Sequence, residues 1–92
     1  MVIIWSNQAK ISYENIIDNI LKQWSIEIAL KFELLTNKFL DTLKKNSKLC
    51  PVSEKTNLRK CVIHKTTSLI YKITNSNIEL VSFIDNRSNH GY

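Results

Sequence analysis

Three short runs rich in β-branched and aromatic residues crowd the stretch from Leu58 to Arg87. They are Leu58–Lys65, Leu69–Thr74 and Ile78–Ile84. Polar breaks at Thr66-Thr67-Ser68 and Asn75-Ser76-Asn77 separate them, so the spacing predicts a three-strand antiparallel meander. The last run leads into Asp85-Asn86-Arg87-Ser88-Asn89-His90, which puts an Arg and a His just beyond a strand end. A groove at that sheet edge is where function is expected.

The amino-terminal half has a different period. Val2-Ile3-Ile4-Trp5 is a short apolar run stopping at Ser6-Asn7, so it reads as a buried or edge strand that ends at a helix cap, with Ser6 as N-cap. Tyr13, Ile16, Ile17, Ile20, Leu21 and Trp24 then form one apolar helical stripe, while Lys10, Glu14, Asp18 and Lys22 occupy the opposite face. Ser25 breaks that pattern and caps a second helix. Glu27 stands in its first turn and Lys44-Lys45 in its last, where the helix dipole favours each charge. Its apolar stripe is Ala29, Phe32, Leu35, Phe39, Leu40 and Leu43.

A connection this short folds the helices into an antiparallel hairpin whose shared apolar face needs a cover, and the meander supplies one. Asn46 to Asn57 contains the only proline and no periodicity, and so reads as a loop. The order β-α-α-β-β-β gives an α+β fold: a mainly antiparallel sheet with a two-helix hairpin packed on one face. A chain of 92 residues is too short for two cores, so residues 1–92 are expected to make one domain.

Thirteen Lys and Arg against eight Asp and Glu give a net charge of +5. The excess is uneven: residues 1–45 hold six lysines and five acids, whereas residues 46–92 hold seven basic residues and three acids. A basic sheet half favours a polyanionic or acidic partner, although lysines also serve solubility alone. Cys50 and Cys61 are compatible with a disulfide, but beside so much aliphatic core they read as buried thiols in a reducing compartment. No metal-ligand spacing occurs, and a single glycine leaves no phosphate loop, so neither a metal nor another cofactor is expected. Met1 to Trp5 is too short for a signal-peptide core and no run is long enough to span a bilayer, which points to a cytoplasmic protein with no membrane partner.

Taken together, Trp5-Ser6-x-x-Ala9, the helix closing on Trp24, Ala29-x-x-Phe32, the proline-containing loop, Arg59-Lys60, Leu69-Ile70-Tyr71-Lys72-Ile73 and Phe83-x-Asp85-x-Arg87 make an ordered set. In this order and spacing the set resembles the RelE/ParE toxin superfamily of bacterial type II toxin–antitoxin systems. The resemblance implies a small cytoplasmic toxin that arrests growth when free and is held inactive by a cognate antitoxin. It implies one of two targets: DNA gyrase for ParE-like members, or ribosome-bound mRNA for RelE-like endoribonucleases. The long helical hairpin looks more like ParE. Ser68 stands where the ribonuclease branch commonly has Arg, and Cys61 where it often has Lys, so the ParE-like reading leads. A domain that keeps only antitoxin pairing is a third reading.

Under the ribonuclease alternative, cleavage through a 2′-hydroxyl needs cations on the phosphate and a proton carrier. Arg59 and Arg87 are the candidate cations, because guanidinium pairs bidentately with phosphate, and His90 is the candidate acid or base. Lys60, Lys65 and Lys72 are candidates for tracking a nucleic-acid backbone. The blander readings are a strand-end Arg87 paired with Asp85, a solvated tail for His90 and a sheet-surface role for His64. Tyr71 is expected in the core with its hydroxyl reaching the surface, and Trp5 and Trp24 are expected among apolar neighbours.

Overall fold

A computed structural model describes residues 1–86. Strand β1 spans Val2–Trp5, helix α1 Asn7–Gln23 and helix α2 Ile26–Lys45; strands β2, β3 and β4 span Arg59–His64, Thr67–Thr74 and Asn77–Asp85. The helix caps follow from local chemistry. The Ser6 hydroxyl accepts the Ala9 N–H at 3.0 Å and the Ser25 hydroxyl accepts the Ile28 N–H at 3.2 Å, each giving an otherwise unpaired first-turn donor an acceptor. Only Trp24 and Ser25 separate the helices.

The four strands form one sheet in the order β1-β4-β3-β2. The meander β2-β3-β4 is antiparallel as expected, while β1 lies at the edge and runs parallel to β4, pairing Val2 with Asn77 and Trp5 with Leu80. Both turns are tighter than the polar breaks suggest. Thr67, Ser68 and Asn77 belong to strands, because the ladder pairs Thr67 with Asp85, Ser68 with Ile84 and Thr74 with Asn77. Asn75 turns the second hairpin at φ 52°, a left-handed conformation that Asn tolerates better than most residues.

Helix α1 is tied to β4 at an irregularity in the ladder. Ile70 pairs with Ser82 but Tyr71 pairs with Leu80, so Val81 is an extra residue. Two serines serve backbone groups there, one capping α1 and one within it: Ser6 Oγ donates to the Val81 carbonyl at 3.0 Å, and Ser12 Oγ accepts the Phe83 N–H at 2.9 Å. Ala9, between them, is fully buried against the sheet. This fixes both helices on one face of the sheet.

The core on that face contains Leu40, Leu43, Cys61, Leu69, Tyr71, Ile78, Leu80 and Phe83. An aromatic cluster extends it, with Trp5 stacked on Phe83 at 5.4 Å and Tyr13 stacked on Phe32 at 5.9 Å between ring centroids. Three expectations are corrected here. Trp24 is not in the core: it is 66% exposed. The Tyr71 hydroxyl does not reach the surface but donates to the Ser47 carbonyl at 2.7 Å. Cys50 and Cys61 are not idle thiols; they are joined as a disulfide with Cα atoms 5.5 Å apart.

Trp24 is exposed because α1 outruns the sheet beneath it. Ser12 lies against Phe83, and β4 ends two residues later at Asp85, yet α1 continues to Gln23. Eleven further residues add roughly 16 Å of helix at 1.5 Å per residue. The meander therefore covers only the near half of the helical hairpin.

Candidate functional site

Where the hairpin overhangs, α1, α2 and the β2–β3 turn enclose an open cleft of about 540 Å³. Ile16, Ile20 and Trp24 form one wall and Ile28, Phe32 and Leu35 the other. The far end is polar, with His64, Thr66, Thr67 and Asp85. Ile28 and Leu35 are exposed like Trp24. Apolar surface of this kind on a small domain marks an interaction site more often than it is left bare.

His64 reaches the cleft through a break in strand alternation. Val62 pairs with Ser68 but His64 pairs with Thr67, so a bulge brings the His64 ring to the helix side, edge-on to Phe32 at 5.9 Å. Its Nδ1 accepts the Thr66 N–H at 3.3 Å, which leaves Nε2 as the protonated nitrogen of the neutral ring. His64 is thus a cleft residue and not only a sheet-surface one.

The cations nominated from sequence do not gather at one point. Arg59 pairs with Tyr71 in the sheet, and its Nη1 donates to the Cys50 carbonyl at 2.7 Å, so the guanidinium holds the α2–β2 loop. Lys60, the next residue, projects from the opposite face, where it pairs with Ile70. Lys72 shares that face and forms an ion pair with Glu79 at 4.0 Å. Lys65 sits in the β2–β3 turn. Arg87 and His90 lie outside the described residues.

The face opposite the helices also holds Ser68, which is buried and whose hydroxyl donates to Asn86 Oδ1 at 2.6 Å. Lys60 and Lys72 are diagonal neighbours there, roughly 7–8 Å apart by strand geometry. Burial raises the pKa of two tyrosines. Tyr13 is raised chiefly by desolvation, against a hydrogen bond from Thr36 that lowers it, with a further small rise from Glu33. Tyr71 is raised by desolvation, against the lowering effects of the Cys50 N–H and the Arg59 charge. Neither supplies an anion near neutral pH. Among the described residues no three His, Cys, Asp or Glu side chains converge to hold a metal, and no helix is long and apolar enough to cross a membrane.

No family model and no curated protein matches the sequence. Solved structures do match. The toxin–antitoxin ParDE system of Pseudomonas aeruginosa gives a TM-score of 0.79 at 17% identity, covering 92% of this chain and 95% of that one. The fold is RelE/ParE-like. A copper-bound mutant toxin from Helicobacter pylori follows with a TM-score of 0.70 at 13% identity, over 98% of this chain and 99% of that one. The YoeB dimer of Staphylococcus aureus gives 0.63 at 19% identity, over 91% and 94%. The likeness in fold thus extends over nearly the whole chain.

Sequence reasoning missed the cleft as a site. A signal was present: Ile26, Ile28, Leu30 and Leu34 fall outside the core stripe of α2, so that helix is apolar on more than one side. A helix of that kind has more partners than one sheet face provides.

Proposed function

We propose that this chain is the toxin of a type II toxin–antitoxin pair, ParE-like in action. It arrests growth by binding a macromolecular target such as DNA gyrase in the cytoplasm, and a cognate antitoxin neutralises it. The observation that supports this reading is the apolar cleft between the overhanging helices, a surface suited to binding a partner. The likeness to the ParDE structure, and to a heterotetrameric YoeB–YefM toxin–antitoxin complex matched at a TM-score of 0.61, supports a protein partner of antitoxin type.

The antitoxin segment that suits the cleft is an amphipathic helix laying apolar residues between α1 and α2. Acidic residues on its rim would complement a toxin of net charge +5, whose Lys31 stands at the cleft. The test is co-expression with the small open reading frame beside this gene. Rescue of growth and recovery of a stable complex are expected; a toxin phenotype that the neighbour leaves unchanged contradicts the pairing.

A second reading rests on the sheet face opposite the helices. Lys60 and Lys72 lie together there beside Ser68 and Ser82, and the fold is also that of YoeB and of YafQ from Escherichia coli, matched at 0.55. Under this reading the chain is a ribosome-dependent mRNA endoribonuclease, with Arg87 and His90 completing the cationic set and Arg59 contributing if freed from the Cys50 carbonyl. Cleaved mRNA after induction, abolished by Arg87→Ala and His90→Ala, is its expected signature.

A further inference from the structure

The α2–β2 loop is fastened to the sheet at one residue by three bonds of different chemistry. Cys50 is covalently joined to Cys61 of β2. Its carbonyl accepts the Arg59 guanidinium at 2.7 Å. Its N–H points to the Tyr71 hydroxyl at 3.5 Å, and that hydroxyl donates to the Ser47 carbonyl at 2.7 Å. Further along, Val52 makes a single bridge to Arg59, and Ser53 N–H donates to the Leu58 carbonyl at 2.8 Å.

We propose that the Cys50–Cys61 pair is a redox-modification site, at which a small dithiol reductant unlocks the loop of residues 46–58 from the edge of the sheet. The two sulfurs differ in access. Cys61 is 2% exposed within the core, whereas Cys50 is only partly buried, so Cys50 is the residue at which an incoming thiolate attacks. Between residues 46 and 59 stand Lys48, Lys55 and Arg59 against the single acid Glu54, a local field that attracts an anionic thiolate.

The exchange balances in two steps. Attack by the reductant thiolate breaks the protein S–S bond, forms a mixed disulfide on Cys50 and releases Cys61 as a thiolate, which takes up a proton. The second thiol of the reductant, deprotonated, then displaces Cys50 Sγ, which leaves as a thiolate and is protonated in turn. The protein disulfide gains two electrons and the dithiol leaves as its own disulfide.

What remains after reduction is a set of single non-covalent contacts, the hydrogen bonds of Tyr71 to Ser47 and of Ser53 to Leu58 among them, each weaker than the covalent bridge. The Tyr71 contact to the Cys50 N–H is long, and the Arg59 contact is a single hydrogen bond from a partly exposed side chain. Most of the helix-side core lies outside the loop: Leu69, Ile78, Leu80, Leu43 and Ala9 belong to it, and the loop adds Cys50 at its margin. Reduction therefore loosens the loop and the carbonyl that holds Arg59, and leaves the sheet and helices in place. This inference does not rest on the toxin reading.

The test compares full-length oxidised protein, protein treated with dithiothreitol, and the Cys50→Ser/Cys61→Ser double variant, by maleimide mass-tagging and hydrogen exchange. With tagging carried out under denaturing quench, so that buried Cys61 is also reached, the oxidised form should carry no tag and the reduced form two. Amides of Cys50 and Ser53 should exchange on the order of tenfold faster or more once the bridge is gone, with Leu69 and Leu80 unchanged. The double variant should match the reduced form without reductant. Two tagged cysteines after treatment with glutathione disulfide, or unchanged loop exchange, overturns the proposal. So does a loss of protection that spreads through β3 and β4, since the bridge is then a staple for the whole fold.

Discussion

Arg59 Nη1 donates a 2.7 Å hydrogen bond to the carbonyl of Cys50, on the face of the sheet that carries the helices. Its neighbour Lys60 stands on the other face. The pair of cations that reads as a unit in the sequence is thus divided by the sheet, one holding a loop and the other facing outward. Removing the Arg59 contact is expected to act on stability first. For Arg59→Ala the expected cost is about 1 kcal/mol, since the side chain is partly exposed, and a thermal midpoint lower by roughly 4–8 °C. Thermal unfolding followed by circular dichroism checks this, and an unchanged midpoint together with lost toxicity would return Arg59 to the functional set.

Ser12 carries more than its place on a half-solvated helix suggests. Its hydroxyl accepts the Phe83 N–H beside the extra residue Val81 and donates back to its own helix at the Gln8 carbonyl. Ser12→Ala leaves that strand N–H without its acceptor, at an expected cost of about 1–2 kcal/mol. Urea unfolding should show a lower midpoint with an unchanged slope, because the surface exposed on unfolding stays the same.

Trp24 should show the reverse balance. At 66% exposure it contributes little to folding, so Trp24→Ala is expected to change stability by about 0.5 kcal/mol or less. At the mouth of the cleft it is placed to anchor a partner helix, and its loss should weaken antitoxin binding by about thirtyfold or more, or roughly 2 kcal/mol. Isothermal titration calorimetry with the purified antitoxin separates the two effects.

The buried tyrosines set an alkaline limit on stability. Tyr13 and Tyr71 both have pKa values raised above 10.0 in the folded chain, chiefly by burial, so folding favours the neutral phenol. Their contribution is complete below the unfolded value and is lost as pH rises through the folded one. Thermal midpoints should therefore be flat with respect to these groups up to about pH 9 and fall above about pH 10. Tyr13→Phe should soften that fall, whereas Tyr71→Phe should also lower stability at neutral pH by losing the hydrogen bond to Ser47.

The elements of this fold are written plainly in the residues that make them. Ser6 and Ser25 announce both helices, and the β-branched and aromatic runs from Leu58 onward, parted by polar breaks, announce the meander. What the sequence does not carry is relative length. Nothing in the stripe from Tyr13 to Trp24 says that β4 stops beside the middle of α1, so Trp24 reads as core when it is surface. The bulges at Val62/His64 and Ile70/Tyr71 are equally hidden, because each depends on the partner strand's register. His64 therefore arrives in the cleft unannounced. The disulfide escaped for a related reason: whether Cys50 lies beside Cys61 depends on how a loop without periodicity turns back.

The most direct test of a binding toxin is pulse-labelling of DNA and protein synthesis in parallel, in the minutes after induction of the intact chain. The ParE-like account predicts that thymidine incorporation falls first while leucine incorporation continues, with purified chain blocking gyrase supercoiling. An immediate stop in leucine incorporation with cleaved mRNA, and DNA synthesis initially intact, would contradict it.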